Sequence, residues 1–315
     1  MKKTNYKELE KFISNSRLKS YEQIIKKKKL ENLIAAYHWN KQVSTSLYPI
    51  LQCLEITLRN ALHIAGSKAF QASDWYEQVL KHGGDEKFKS DAATHSIKYF
   101  RKSAGYKKEP RKKAWLSNHE SMLLGSKRKL TNDGKVLSAN NVISTVMFGF
   151  WVSFFEDAYA GIDPNKSLWP HQESKVFLPG GVANRKQAHL LLLDLQRLRN
   201  RMSHHEPVWK DKSVVDDKSA IQFLHTQVDN ALLLIRSFST ERYEHLLKSG
   251  KVAFFKGVCS ERTLLAYLRG DQFKRLDKRK VKRLVCREMR NVRVEPVILT
   301  VHDVPKFVVD LWPNQ

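Results

Sequence analysis

The chain has 315 residues, of which 42% are hydrophobic and 10% aromatic, enough to bury a core and to exclude wholesale disorder. Its 56 lysines and arginines outnumber its 32 acidic residues, so the formal net charge is +24. An excess of this size favours a polyanionic partner, because each phosphate that a cation neutralises releases a counterion. A merely soluble basic surface is the alternative interpretation.

The three cysteines, Cys53, Cys259 and Cys286, lie far apart in the sequence. The absence of a CxxC pair argues against a thiolate zinc site, and the low, odd count argues against a disulfide framework. No segment approaches the roughly 20 apolar residues of a membrane helix, and no apolar stretch typical of a signal peptide follows the N-terminus. We therefore expect a soluble, cytoplasmic protein with no membrane partner, no metal and no cofactor.

Apolar residues recur at three- and four-residue steps through the first seventy residues, which predicts two helices. The first covers residues 21–40, with Lys26–Lys29 on a solvated face. The second begins near Ser44 and ends near Phe70, with Pro49 in its first turn. A third helix is predicted over residues 85–103.

A basic insert follows at about 104–138, where we expect at most one short helix. The next segment, 140–158, is apolar and aromatic, and prolines and glycines make 159–182 loop-like. Apolar spacing then predicts one helix that begins near Asn184 and ends before Pro207, and another over 214–240.

The sequence changes character after Gly250. Val252–Phe255 and Val297–Val301 are rich in β-branched and aromatic residues, which predicts short strands, and the basic segment between them favours a helix. The predicted fold is therefore mainly α, with the basic insert and a small C-terminal α/β or mixed appendage. We expect a helical domain over 1–249 and a basic appendage of uncertain fold over 250–315.

Fixed cations, imidazoles and one carboxylate are concentrated in residues 197–207. Imidazole both takes and gives protons near neutrality, and guanidinium matches phosphate oxygens with a forked donor set. That combination suits cleavage of RNA without a metal. A histidine would assist attack of the ribose 2′-OH or protonate the leaving 5′ oxygen, while an arginine would stabilise the charge at phosphorus. The alternative is a purely structural role, in which the positive charges of these residues complement the dipole at a helix C-terminus.

Helical geometry constrains this hypothesis. Asn200 and His204, four residues apart, share one face of an ideal helix, whereas Arg199 and His204 diverge by about 140°. Either the helix loosens near Ser203 or Arg199 acts beside a group from elsewhere. A symmetric dimer would satisfy the second alternative by facing two copies of the segment across its axis.

The run Arg199–Pro207, RNRMSHHEP, resembles the signature of the Abi-like (abortive infection) proteins. These resemble the wider HEPN superfamily of RNases, whose motif is an arginine, usually followed by a polar residue, with a histidine four to six positions on. The resemblance covers about residues 15–245. Four further blocks agree in order: Tyr37–Asn40, Leu54–Leu62, Phe148–Trp151, and Leu168–Pro170 with Phe177.

This resemblance implies an all-helical HEPN bundle, commonly dimeric, with Arg-His segments that line a cleft at the interface. It also implies a metal-independent endoribonuclease that acts as a toxin or phage-defence effector. Arg199 and His204 become the catalytic candidates, and Asn200 becomes a positioning residue. RNA, a second copy of the chain and a cognate inhibitor RNA or protein are the expected partners.

Two other classes of function stay open at this point. One is a non-catalytic nucleic-acid-binding or regulatory module that keeps the bundle. The other is a transferase that uses a nucleotide donor, although the sequence shows no glycine-rich phosphate loop and no carboxylate metal cluster.

The supporting candidates each have a structural alternative. His205 is the alternative acid/base, and Glu206 either acts on the neighbouring imidazoles or is simply solvated. Glu55 and Arg59 either line the cleft or form an i,i+4 ion pair. The aromatic residues of 148–151 have a spacing more typical of packing than of base stacking. A cation cluster in the basic insert either binds the RNA backbone or forms a disordered loop; its members are Lys107, Lys108, Arg111, Lys112 and Lys113.

Overall fold

The structure is a computed structural model that describes residues 5–82, 118–165, 167–269, 279, 283, 286, 297–301 and 304–309. Helices dominate this part of the chain, so the prediction of a mainly α fold is confirmed. The helix predicted over 85–103 and the cation cluster at 107–113 lie outside the described residues.

The described ranges contain the following helices in chain order. Two short 3₁₀ segments, Glu22–Ile24 and Asp157–Tyr159, interrupt this order. The helices are α1 (Tyr6–Ile13), α2 (Asn15–Lys19), α3 (Leu30–Phe70), α4 (Trp75–His82), α5 (Asn118–Asn132), α6 (Ala139–Thr145), α7 (Phe148–Ser153), α8 (Glu173–Val176), α9 (Arg185–Ser203), α10 (Asp217–Phe238), α11 (Thr240–Lys248), α12 (Lys251–Val258) and α13 (Glu261–Arg269).

The first two predicted helices have different limits in the structure. Residues 26–29 are not helical, and α3 begins at Leu30 and continues without a break to Phe70. Pro49 therefore lies inside a helix rather than in a first turn, although an interior proline costs about 3 kcal/mol or more. The buried positions keep one helical phase on both sides of it, and their burial offsets that cost: Trp39, Val43, Leu47, Ile50, Leu54, Leu58 and Leu62.

The prediction of a strand at Val252–Phe255 is wrong, because these residues form α12. Gly250, with a φ of 71°, precedes the helix, and Val252, Phe255 and Val258 are buried at three-residue steps. That spacing fits a helix face and overrides the β propensity of the individual residues. The predicted strand at Val297–Val301 is confirmed: it is β1, which pairs antiparallel with β2 (Val304–Val309).

The chain divides into two compact units. Unit 1 comprises residues 1–53, 197–232 and 241–315, and unit 2 comprises residues 54–196 and 233–240. The boundary between a domain over 1–249 and an appendage over 250–315 stays a prediction.

The core of unit 1 is built around two tryptophans. The rings of Trp39 and Trp209 lie 5.0 Å apart, and the ring of Tyr21 packs edge-on against Trp209 at 5.9 Å. All three side chains are fully buried. The indole nitrogen of Trp39 donates a hydrogen bond of 3.0 Å to the carbonyl of Val258, so α12 is tied to α3.

The core of unit 2 is a series of aromatic rings. Phe154 lies 5.2 Å from both Trp75 and Phe150, and the ring of Trp169 stacks on Phe177 at 5.7 Å. The apolar side chains of 148–151 are buried, which confirms that this block packs in the core rather than offering a surface for bases.

The helix that carries the Arg-His motif, α9, has the predicted limits. It begins after Asn184, whose side-chain oxygen accepts a hydrogen bond of 3.0 Å from the Gln187 amide, as an N-cap residue does. It ends at Ser203, four residues before Pro207.

Candidate functional site

The C-terminus of α9 forms a hydrogen-bonded cap around the two histidines. The amide of His205 donates to the carbonyl of Met202 at 3.1 Å, and the amide of Glu206 donates to the carbonyl of Arg201 at 2.9 Å. These are the two bonds of a Schellman motif, and His205 occupies its left-handed position with a φ of 55°. Histidine is among the non-glycine residues that tolerate this conformation.

The helix does not loosen between Arg199 and His204. The amide of His204 still donates to the carbonyl of Asn200 at 3.0 Å, which is α-helical geometry. Asn200 and His204 therefore share a face, and Arg199 and His204 project about 140° apart. Of the two alternatives raised by the sequence, this favours an arginine that acts beside a group from elsewhere.

The side chains of the motif are accessible to solvent. Asn200, His204 and His205 are exposed, and Arg199 is half-buried. Neither the guanidinium of Arg199 nor the imidazole of His204 has a hydrogen bond or ion pair with any residue that the structure describes. No residue in the described ranges therefore competes with a ligand for either group.

The other charged groups nearby are partly neutralised within the segment. Hydrogen bonds from Ser213, followed by the charges of Arg201 and Arg197, lower the pKa of the Asp211 carboxyl. Glu206 forms an ion pair of 3.2 Å with Lys210. Arg199 is thus the arginine of this segment whose charge is least engaged by acidic neighbours.

Two residues that the motif does not contain contact its backbone, and the first is Asn40. Its side-chain amide donates to the carbonyl of Glu206 at 3.2 Å, and its side-chain oxygen accepts from the amide of Val208 at 3.0 Å. Asn40 is 3% exposed. The sequence signal for this contact was the position of Asn40 inside an apolar helical stripe. A side-chain amide that is buried there is expected to have hydrogen-bond partners.

The hydroxyl of Tyr21 is the third partner of Asn40, at 3.3 Å from the amide nitrogen. Burial, followed by the proximity of Tyr37, raises the pKa of Tyr21 above its usual range. This tyrosine therefore stays protonated and serves as a neutral hydrogen-bonding partner.

The second residue outside the motif is Arg17, in α2. Its guanidinium donates to the carbonyls of His204 and His205, at 3.3 and 2.9 Å. Nothing in the local sequence of α2 indicates this contact, since 187 residues separate Arg17 from His204.

Glu55 and Arg59 belong to unit 2, where they do not form the predicted i,i+4 ion pair with each other. Arg59 instead donates to the carbonyl of Ile143 over a long 3.5 Å, and its Nε atom is buried without a partner among the described residues. Their role as supporting site residues stays a prediction.

A separate polar cluster in unit 2 contains His119, Tyr159 and Glu156. His119 is buried, its Nδ1 atom is hydrogen-bonded to the Tyr159 hydroxyl, and its Nε2 atom lies 3.8 Å from the Glu156 carboxylate. Burial lowers the pKa of His119 to about 4. It also raises the pKa of both Tyr159 and Glu156.

No group of three or more histidine, cysteine, aspartate or glutamate side chains in the described ranges is arranged to hold a metal ion. Nor does any helix there combine the length and the apolar character required to cross a membrane.

Fold and site together define a mainly α-helical protein with an arginine and two histidines at a capped, solvent-exposed helix end. The family model of the Abi-like proteins matches residues 1–210, two thirds of the chain, and this range includes the whole Arg199–Pro207 run. The chain belongs to the Abi-like protein family. Membership suggests a role in abortive infection, a form of phage defence. Neither the curated proteins nor the solved structures gave a significant match.

Proposed function

We propose that this Abi-like protein is a metal-independent endoribonuclease of the HEPN type that acts as a phage-defence or toxin effector in the cytoplasm. The observation that carries the proposal is the end of α9, where the imidazole of His204 is exposed on a hydrogen-bonded turn and has no partner among the described residues. The guanidinium of Arg199, five residues earlier, likewise has no partner in the described part of the chain. The net charge of +24 favours a polyanionic substrate such as RNA.

The proposed reaction is transesterification within the RNA chain. The imidazole of His204 takes the proton of a ribose 2′-OH, and the 2′ oxygen attacks the adjacent phosphorus. The bond from phosphorus to the 5′ oxygen breaks, and the leaving 5′ oxygen takes up a proton from water, while the proton removed from the 2′-OH stays on the imidazole until it is released to solvent. Arg199 stabilises the additional negative charge on the phosphoryl oxygens, and Asn200, on the same helix face as His204, orients the substrate.

The roles of the two histidines differ because their backbones differ. His205 holds the left-handed position of the cap, so its conformation serves the turn. His204 retains helical hydrogen bonding and shares a face with Asn200. We therefore assign the acid/base role to His204.

The first experiment is RNA cleavage by the purified full chain in EDTA, with analysis of the product ends. We expect 2′,3′-cyclic phosphate and 5′-hydroxyl ends, and loss of cleavage in Arg199→Ala and His204→Ala. The matched controls, Arg128→Ala and His245→Ala, remove an exposed arginine and an exposed histidine elsewhere in the described chain. Normal cleavage by both motif variants would overturn the site assignment.

The divergence of Arg199 and His204 on α9 supports a dimer with a composite site, which is part of the proposal. If a site takes its arginine from one protomer and its histidine from the other, a mixture of Arg199→Ala and His204→Ala chains regains activity. Half of the dimers in an equal mixture are heterodimers with one intact site of two, so about one quarter of wild-type activity should return. A monomer in solution, or a mixture that stays inactive, would contradict a composite site.

A non-catalytic nucleic-acid-binding or regulatory module is the second candidate, and the same positive charge favours it. This candidate predicts RNA binding that weakens steeply as the salt concentration rises, with no cleavage product under any condition. A cognate inhibitor RNA or protein belongs to the first candidate, because a free ribonuclease would endanger its host. Co-purification from cells that express an inactive His204→Ala chain tests for it.

A further inference from the structure

The turn that carries the two histidines is held by side chains from two other helices. Arg17 of α2 binds its first two carbonyls, and Asn40 of α3 binds the peptide groups that follow. We propose that Arg17 and Asn40 are positioning residues, which together fix residues 204–208 and thereby aim the imidazole of His204. The inference rests on the ribonuclease proposed above.

Asn40 compensates for the proline in the turn. Pro207 has no amide hydrogen, so it cannot help to fix the chain by donating a hydrogen bond. The single side chain of Asn40 binds on both sides of it, as a donor to the Glu206 carbonyl and an acceptor from the Val208 amide. Because Asn40 and Val208 are buried, water does not compete for the bond between them, and the bond to the Glu206 carbonyl is partly shielded.

Arg17 stabilises the other end of the turn. The carbonyls at a helix C-terminus lack intrahelical partners and carry partial negative charge, so a cation there is favourable. Arg17 is itself held in place: its amide donates to the Ser14 hydroxyl at 3.4 Å, and the next residue, Leu18, is 1% exposed. The guanidinium therefore reaches the turn from an anchored helix.

These contacts matter for His204 because its ring has no anchor of its own among the described residues. An exposed imidazole without a side-chain partner is placed by its backbone alone. The backbone next to it includes the positive φ of His205, a conformation that residues with a Cβ rarely adopt. Removing either outside contact should let the turn relax, and displacement of a catalytic group by about 1 Å can cost about 100-fold in rate.

The test compares each positioning variant with a matched control in the full chain. Lys19→Ala removes an exposed cation from the same helix as Arg17. Tyr21→Phe removes the hydroxyl that Asn40 contacts but leaves both bonds from Asn40 to the turn. Asn40→Asp has the same shape as the native side chain but loses the donor to the Glu206 carbonyl.

We expect kcat for RNA cleavage to fall about tenfold in Arg17→Ala and about 100-fold in Asn40→Asp, with KM within about twofold of wild type. Arg17→Lys, which keeps a cationic donor, should recover part of the loss. Both controls should cleave within about twofold of wild type. Unchanged kcat in a folded Arg17→Ala chain would overturn the proposal, and so would a rise in KM alone, which would make Arg17 an RNA-binding residue.

Amide hydrogen exchange separates this inference from the ribonuclease proposal. The amides of Glu206 and Val208 should exchange about tenfold faster in Arg17→Ala and Asn40→Asp than in the matched controls. If wild-type protein cleaves no RNA, the proposed function fails, and exchange alone decides the positioning role. Unchanged exchange in both variants would then overturn it.

Discussion

His204 of unit 1 and His119 of unit 2 lie in opposite environments. His204 is exposed, and hydrogen bonds fix its backbone while its ring has no partner among the described residues. In unit 2, His119 is buried against Tyr159 and Glu156, and burial lowers its pKa to about 4. A cluster of histidine, tyrosine and glutamate suggests catalysis by composition, yet burial keeps the imidazole of His119 neutral near pH 7 and its ring already has partners. An exposed imidazole on a fixed backbone, as at His204, is therefore a better candidate for a catalytic group than a buried imidazole with partners, as at His119.

The largest expected effect follows directly from this comparison. His204→Ala should lower the rate of RNA cleavage by about 10²–10⁴-fold, the usual contribution of a general acid or base. Because the side chain is exposed, the free energy of unfolding should change by less than about 0.5 kcal/mol. His119→Ala should do the reverse, with a loss of about 2 kcal/mol in stability and little change in kcat. Cleavage kinetics and urea unfolding measure the two quantities. A large loss of kcat in His119→Ala would break the comparison.

The second prediction concerns the pH dependence of stability. Between pH 6.5 and 4, the unfolded chain binds a proton at His119 that the folded chain does not, so stability falls as the pH falls. His119→Gln should reduce the loss between pH 7 and pH 4 by up to about 3 kcal/mol. The raised pKa of Glu156 acts in the opposite direction but is present in both proteins.

Urea unfolding at several pH values measures this difference. His245→Gln is the matched control, because it makes the same substitution at an exposed histidine. Parallel curves for wild type and His119→Gln would show that burial does not perturb His119.

The third prediction tests how far unit 2 depends on tight packing. A Cβ at Gly66 would collide with the indole of Trp75, which is fully buried and lies 5.2 Å from the ring of Phe154. Gly66→Ala should therefore destabilise the protein by about 1–3 kcal/mol, the usual cost of overpacking. A Cβ at Gly125, in α5, would have no described atom within 4 Å, so Gly125→Ala should stabilise by about 0.5–1 kcal/mol. If thermal unfolding shows that both variants stabilise the protein or that both destabilise it, the tight packing inferred around Gly66 is contradicted.

Local signals in the sequence predicted the helix that carries the site. Asn184 and Pro207 bracket α9 as an N-cap residue and a helix breaker, and the structure places its limits between them. The same local rules were wrong at Pro49, because the free energy from a buried stripe on both sides of the proline is a property of the tertiary fold.

The distant partners of Asn40 and Arg17 were beyond such signals. Asn40 contacts peptide groups 166 and 168 residues away, and Arg17 contacts carbonyls 187 and 188 residues away. Periodicity identifies which face of a helix is buried, but it does not identify the distant backbone that a polar side chain will meet. The sequence therefore indicated the candidate residues of the turn but did not show which distant side chains contact its backbone.

The smallest expected effect separates the two adjacent histidines. His205 has a φ of 55°, a conformation that costs a residue with a Cβ about 1–2 kcal/mol. Glycine removes this cost but increases the entropy of the unfolded chain, which offsets about 0.5–1 kcal/mol. His205→Gly should therefore raise the free energy of unfolding by about 0.5–1 kcal/mol. The control is Ser203→Gly, in the last helical position, which should lower the free energy of unfolding by a few tenths of a kcal/mol. If His204 is the acid/base, the stabilised His205→Gly protein still cleaves RNA, and a loss as large as that of His204→Ala would transfer the role to His205.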